Sequence, residues 1–279
     1  MTGLVTYYVI NLDRSPERLA AISDNLSRLG CCYSRVEAVD SQQMPDDEIG
    51  RYYDGKFSVD GGCYLKKVWI CITLSHERAL KAFLNSDQPY GVILEDDAIL
   101  HQDTPGVVDY LIENHAAGSV EFDMVELAGP DKKGKRDIIK QTTEFGPFKI
   151  GKPLKTTPLA AGMIYSRAGA EKILRHALPV RTHWDNYLSL SWRHGARTLT
   201  VRPYPITSRA PTVSSIEKDD AIPVPTLWDA FKRRIYRIYQ GPRRWCHNML
   251  WMGPAACLKI PGSYAWGERS GHRKQPSER

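Results

Sequence analysis

Apolar and polar positions alternate in two rhythms through the first two hundred residues. Tyr7-Tyr8-Val9-Ile10 is a short continuous run of strand formers and reads as a buried strand. Asn11-Leu12-Asp13-Arg14 ends it. Ser15-Pro16-Glu17-Arg18 then opens a helix, with Ser15 as N-cap and Pro16 at the first helical position, where its missing N–H has no partner to lose. Leu19, Ile22, Leu26 and Leu29 share the apolar face, and Gly30 closes the helix. Tyr33 to Val39 reads as a second strand ending at Asp40. This β-α-β opening predicts an α/β domain with a mainly parallel central sheet.

The same reading continues along the chain. Residues 41–68 are irregular, rich in Gly, Asp and Tyr, and Ser75 to Leu84 is a helix with Ser75 as its cap. Gly91-Val92-Ile93-Leu94 is the clearest buried strand, and it delivers Glu95-Asp96-Asp97 at its carboxyl end. Strands follow at Phe122 to Leu127, within Thr156 to Tyr165, and at Arg197 to Val201, with helices at Ala168 to Ala177 and Asp185 to His194. Beyond Ser208 the rhythm stops, which divides the chain into a domain over 1–216 and an extension over 217–279. No repeat with a solenoid or propeller period is present.

In the extension, Leu227, Trp228, Phe231, Ile235, Ile238 and Tyr239 fall on one helical face, and Lys232, Arg233, Arg234 and Arg237 on the other. Arg243, Arg244, Trp245, Met249, Leu250 and Trp251 continue that basic, aromatic character. A basic amphipathic helix with tryptophans suits an anionic membrane surface; the alternative is packing on the protein's own body. Charge follows the same division. Residues 229–279 hold eleven Lys and Arg against three Asp and Glu, a net of +8, so the +6 of the whole chain leaves −2 for residues 1–228. A nearly neutral body argues against nucleic acid as partner, because a basic stripe would lie on the folded domain.

None of the six cysteines forms a C-x-x-C pair or a zinc spacing, so free thiols are expected. Met1 to Val9 lacks the basic flank of a signal peptide, and no apolar stretch of about 18 residues occurs. The expected location is cytoplasmic, peripheral on the inner face of the membrane.

Three adjacent carboxylates after an all-apolar strand repel one another unless a cation or donors neutralise them. Their place is the carboxyl end of a central strand, where α/β sheets open into a ligand crevice. A compact set of hard oxygen ligands suits Mg²⁺ or Mn²⁺, which would bridge a diphosphate as a sugar departs. An acidic solvated turn is the plain alternative.

Several segments together resemble glycosyltransferase family 25, the lipooligosaccharide biosynthesis enzymes that include bacterial galactosyltransferases. They are Val9-Ile10-Asn11-Leu12-Asp13-Arg14-Ser15-Pro16-Glu17-Arg18, Arg35-Val36-Glu37-Ala38-Val39-Asp40, Thr73-Leu74-Ser75-His76-Glu77-Arg78-Ala79-Leu80, Val92-Ile93-Leu94-Glu95-Asp96-Asp97-Ala98 and Gly162-Met163-Ile164-Tyr165-Ser166-Arg167-Ala168-Gly169-Ala170. Each is weak alone, and five in order over 1–215 are not. Lys66-Lys67-Val68-Trp69-Ile70-Cys71 departs from the family pattern by lacking glycines before the Ser-His pair, and residues 130–155 match no family segment.

The resemblance implies a GT-A-like fold, a nucleoside-diphosphate sugar donor with UDP-galactose as first choice, a glycan or glycolipid acceptor, and inversion at the anomeric carbon. By the same carry-over, Glu95-Asp96-Asp97 corresponds to a D-x-D-type element. Asp97 is then the metal ligand, while Glu95 and Asp96 are on the donor side. Arg14 and Arg18 suit phosphate or uracil carbonyls, Asp40 a ribose or base, and His76 a phosphate. Asp185 is the candidate general base, with a plain helix N-cap as its alternative role and Asp123 and Glu126 as rivals; Trp184 and Tyr187 are candidates to stack on an acceptor sugar, with one of the two expected in the core. A divalent-metal phosphatase or nucleotidyltransferase, and a non-catalytic carbohydrate-binding relative, are the alternative functions.

Overall fold

The structure is a computed structural model and describes residues 3–129, 137–153, 159–209, 223–253 and 264–266. Its first half runs β1 (Val5–Asn11), α1 (Pro16–Arg28), β2 (Tyr33–Glu37), the single turn α2 (Asp46–Ile49), α3 (Lys67–Leu84), β3 (Tyr90–Glu95), β4 (Ala98–Leu100), α4 (Thr104–Ala116) and β5 (Met124–Glu126). The second half adds β6 (Asp137–Phe145), β7 (Phe148–Pro153), β8 (Gly162–Ser166), α5 (Arg167–Arg175), α6 (Trp184–Leu188), α7 (Ser191–His194), β9 (Thr198–Arg202), β10 (Ile206–Ser208), α8 (Leu227–Met252) and β11 (Tyr264–Trp266).

Nine strands form one sheet in the order β11-β6-β7-β9-β5-β8-β3-β1-β2. The pairings make β1, β2, β3, β5, β6 and β9 run one way and β7, β8 and β11 the other, so the expected mainly common direction is present. Strand β8 runs against both of its neighbours, β3 and β5. Its amino end therefore lies beside the carboxyl ends of β1 and β3.

The two faces of the sheet are filled by the period-two alternation of its central strands. Tyr7, Val9, Val92 and Leu94 turn to the layer with Ile22 and Leu26 of α1 and Val108 and Leu111 of α4. Tyr8, Ile10 and Ile93 turn to the other, with Leu80 and Phe83 of α3 and Ile173 of α5. At about 1.5–3 kcal/mol for each large side chain fully buried, these layers dominate the stability of the domain.

Several expected boundaries moved. Ser75 caps nothing: α3 begins at Lys67, and Ser75 lies inside it, donating to Cys71 O at 2.7 Å and accepting from Val39 N at 2.8 Å. The run Val68 to Thr73, rich in β-branched residues, has little helical preference of its own, but burying Ile70 and Leu74 against Leu65 and Val180 decides the matter. The helix expected over Asp185 to His194 breaks into α6 and α7 around the buried Leu190. Strand β5 is shorter than expected, and Lys/Gly-rich residues 137–153 are the hairpin β6-β7. The 216/217 division lies outside the described residues. From beyond it, β11 pairs with β6 at the sheet edge.

Helix α8 starts with a capping box in which Thr226 and Asp229 satisfy each other's backbone N–H. Asp229, Tyr236, Gln240 and Asn248 fall on its body side: Asp229 accepts from Tyr64, Tyr236 and Gln240 bond Asp60, and Asn248 is buried. The apolar stripe faces away, with Leu227 91% exposed, Trp228 61%, Ile238 67% and Leu250 90%. The helix is thus seated by its polar side. Five cysteines (Cys31, Cys32, Cys63, Cys71 and Cys246) are free, and Cys257 lies outside the described residues. No helix among the described residues is long and apolar enough to cross a membrane.

Candidate active site

The carboxyl ends of β1, β2 and β3 lie side by side, because these three strands are parallel neighbours. A cleft opens there, lined by Arg14, Arg18, Asp40, His76, Glu95 and Asp96, together with Asn11 and the first turns of α3. All six residues expected on the donor side line it.

The three adjacent carboxylates have separate surroundings. Glu95 Oε1 is 3.0 Å from His76 Nε2, and the His76 ring stacks on Trp184 at 5.2 Å. Asp96 is buried, accepts from Asn11 Nδ2 at 2.8 Å, and pairs with Arg18 at 2.5 Å. Asp97 accepts from Ser208 Oγ at 2.7 Å through Oδ2, while its Oδ1 is buried with no hydrogen-bond partner among the described residues. Burial raises the Asp96 and Asp97 carboxyls above the usual range, Glu95 adds to this for Asp97, and Arg18 opposes it for both.

Arg14 Nε donates to Asp40 Oδ2 at 2.8 Å, and Asp40 Oδ1 accepts from Gln42 N, so Asp40 serves both the cleft and a turn. Arg14 and Arg18 therefore pair with Asp40 and Asp96 rather than with nearby Asp13 or Glu17. Asn11 also accepts from Arg35 Nε at 3.2 Å and donates to Ser15 O.

Asp185 reaches the same region from α6. Its Oδ1 accepts from Ala160 N at 2.8 Å, just before antiparallel β8. Burial, and then the negative field of Glu95, push its carboxyl up to about 6, while His76 pulls the other way. A carboxyl tuned toward neutrality beside the acidic run is suited to taking a proton.

The rivals fare differently. Asp123 stands at the amino end of β5, the opposite edge of the sheet, bonded to Lys172 at 2.7 Å and to Arg197. Burial alone would raise it, but those partners hold it below the usual range. It belongs to a structural ion cluster. Glu126 is buried within the sheet, 4.0 Å from Arg202. Trp184 and Tyr187 are both core, at 1% and 5% exposure, which removes them as acceptor platforms. Trp184 instead backs His76.

Asn11, Ser208 and Ala160 were missed in the sequence. Asn11 is the last residue of β1, where the polar interruption of the apolar run begins, a usable signal. Ser208 reaches Asp97 only through the pairing of β10 with β4.

The geometry fits a divalent cation at Asp97. Its buried Oδ1 has no hydrogen-bond partner among the described residues, and the carboxyls of Glu95, Asp96 and Asp185 lie close by. Among the described residues no three His, Cys, Asp or Glu side chains close around one point. A cation here would share Asp97 with phosphate oxygens and water, as Mg²⁺ commonly does.

Residues 5–188 match the family model for glycosyltransferase family 25 (LPS biosynthesis protein). A 130-residue stretch, 45% of this chain, is 31% identical to a phosphoenolpyruvate carboxykinase (ATP) of Azorhizobium caulinodans and spans 23% of that protein. Among solved structures, S. aureus TarS 1-349 is similar with a TM-score of 0.40 and 14% identity, over 74% of this chain and 60% of that one.

Proposed function

This chain belongs to glycosyltransferase family 25, and from that premise we propose that it is an inverting, divalent-cation-dependent hexosyltransferase acting on a membrane-anchored glycan. The family supplies the transferase class, a nucleotide-sugar donor and a glycan acceptor. One observation carries the finer reading: Glu95 and Asp96 line the cleft, and Asp185, from a distant part of the chain, lies close enough to feel the charges of Glu95 and Asp97.

In this reading Arg14 and Arg18 face the diphosphate, and Asp40 the ribose or base. Asp97 would hold Mn²⁺ or Mg²⁺, which supplies charge stabilisation to the leaving diphosphate. Asp185 takes the proton of the acceptor hydroxyl as that oxygen attacks the anomeric carbon. The bond from that carbon to the diphosphate oxygen breaks, leaving its electron pair on the nucleoside diphosphate. In the same reading His76 belongs to the phosphate side of the donor, with its Nε2 shared with Glu95 and its ring backed by Trp184. Galactose carried on UDP is the first choice of donor.

The outward apolar stripe of α8, flanked by Lys232, Arg234 and Arg237, supports peripheral attachment to an anionic membrane where such acceptors lie. A panel of nucleotide sugars incubated with and without Mn²⁺, followed by slow release of nucleoside diphosphate, tests the reaction. Release from one or a few donors, dependent on the cation and lost in Asp97→Ala, is expected. Release from none, or phosphate release from simple esters instead, would overturn it in favour of the phosphatase or binding-protein reading.

A further inference from the structure

A second cleft, of about 470 Å³, lies between the 53–60 loop, α7 and α8, outside the donor site. We propose that it binds an anionic sugar of the acceptor glycan, which rests on the transferase reading above.

Its walls combine aromatic faces with four cations, Lys56, Arg181, Arg193 and Arg243, against two carboxylates, Asp54 and Asp60. Tyr53, Phe57, Trp192 and Tyr236 provide the rings, with Trp192 and Tyr236 6.5 Å apart. Such faces suit the apolar C–H side of a pyranose. Both acidic residues of the lining are already matched: Asp54 to Lys56 at 2.9 Å, and Asp60 to Arg193 at 2.7 Å, to Tyr236 and to Gln240. Arg181 and Arg243 make no direct ion pair among the described residues, Arg181 feeling Asp54 only at longer range, and Arg243 lies 5.6 Å over the Trp192 ring. Planar guanidinium groups beside an aromatic platform recognise phosphate or carboxylate on a sugar.

The position also suits an acceptor. Val180 and Arg181 line this cleft, and Asp185 follows four residues later, a span of at most about 14 Å. A glycan seated by its charged sugar at Arg181 would reach Asp185 with a neighbouring sugar. Tyr236 and Arg243 belong to α8, so the cleft opens beside the helix whose apolar stripe faces away from the body.

Binding is tested without relying on turnover. The indole N–H signal of Trp192, assigned by its loss in Trp192→Phe, is followed by NMR during titration with mannose 6-phosphate, glucuronic acid and mannose. Saturable shifts with the two charged sugars, at least about tenfold weaker with mannose, are expected. Arg181→Ala and Arg243→Ala, both at exposed positions, should each weaken the charged sugars about tenfold and leave mannose alone. The relative response to the two charged sugars separates a phosphate preference from a carboxylate one. Equal binding of mannose, no saturable shift with either charged sugar, or indifference to both arginine substitutions would overturn the proposal. Donor turnover is measured separately, so its absence would count against the transferase reading and not against the cleft.

Discussion

Asn11 Nδ2 donates to Asp96 Oδ2 at 2.8 Å across 85 residues of chain. That bond joins the end of β1 to the acidic turn after β3 and commits Asp96 to protein partners. Asn11→Ala would leave a buried carboxylate oxygen unpartnered, at a cost of about 1–3 kcal/mol. Urea unfolding should show the loss, and donor affinity should fall with it. A variant as stable as the parent would mean that water replaces the amide without penalty.

Asp97 has the complementary surroundings, an oxygen without a hydrogen-bond partner among the described residues. Asp97→Asn should abolish the Mn²⁺-dependent part of UDP binding, read by calorimetry with and without the cation. Asp96→Asn should act mainly on stability and on the Arg18 pairing. If the two variants lose cation dependence equally, the division of labour between these neighbours is wrong.

Asp185 has a carboxyl raised to about 6, so kcat/KM should climb with pH through that region as the free enzyme's base ionises. Asp185→Asn should remove that limb and lower kcat by about 10²–10⁴-fold, with donor affinity nearly unchanged. Near-normal turnover in this variant would move the role to Glu126.

Linkage predicts a stability effect of the opposite sign at the same residue. Because the folded pKa lies above the unfolded one, ionising Asp185 lowers stability as pH rises from about 4 to about 6. At neutral pH the Asn variant should be more stable, by about 1–3 kcal/mol once its partial exposure is allowed for. At pH 4 the two should converge. A gain that persists at low pH would point to packing instead.

Helix α8 should bind vesicles through its outer stripe. Replacing Trp228, Phe231 and Ile238 together by Ser should abolish sedimentation with phosphatidylglycerol vesicles while leaving the fold intact, since these side chains are exposed. Arg234→Gln with Arg237→Gln should weaken it by about 1 kcal/mol per charge, with weaker salt sensitivity. Deleting the helix is a poorer test. It would also remove Tyr236 from Asp60 and Trp251 from Lys152, and so destabilise the body. Equal sedimentation of substituted and parent proteins would leave the stripe without a membrane role.

Local pattern was enough for β1, α1, β3 and the acidic run, because an apolar strand and a capped helix are specified within about ten residues. It also placed Arg14, Arg18, Asp40, His76 and Glu95 near one another in expectation, since consecutive parallel β-α units bring their carboxyl ends together. Pattern did not extend to long-range pairing. The reversed β8 brings Ala160 to Asp185, β10 brings Ser208 to Asp97, and the direction of β5 sends Asp123 to the far edge. The start of α3 and the burial of both Trp184 and Tyr187 likewise depended on neighbours from distant segments. Amphipathicity shows that α8 has two faces, but only its hydrogen bonds to Asp60 and Tyr64 decide that the polar face turns inward. Periodicity orients a side chain relative to its own element; which partner meets it is decided when buried polar groups and apolar faces from the whole chain must be satisfied at once.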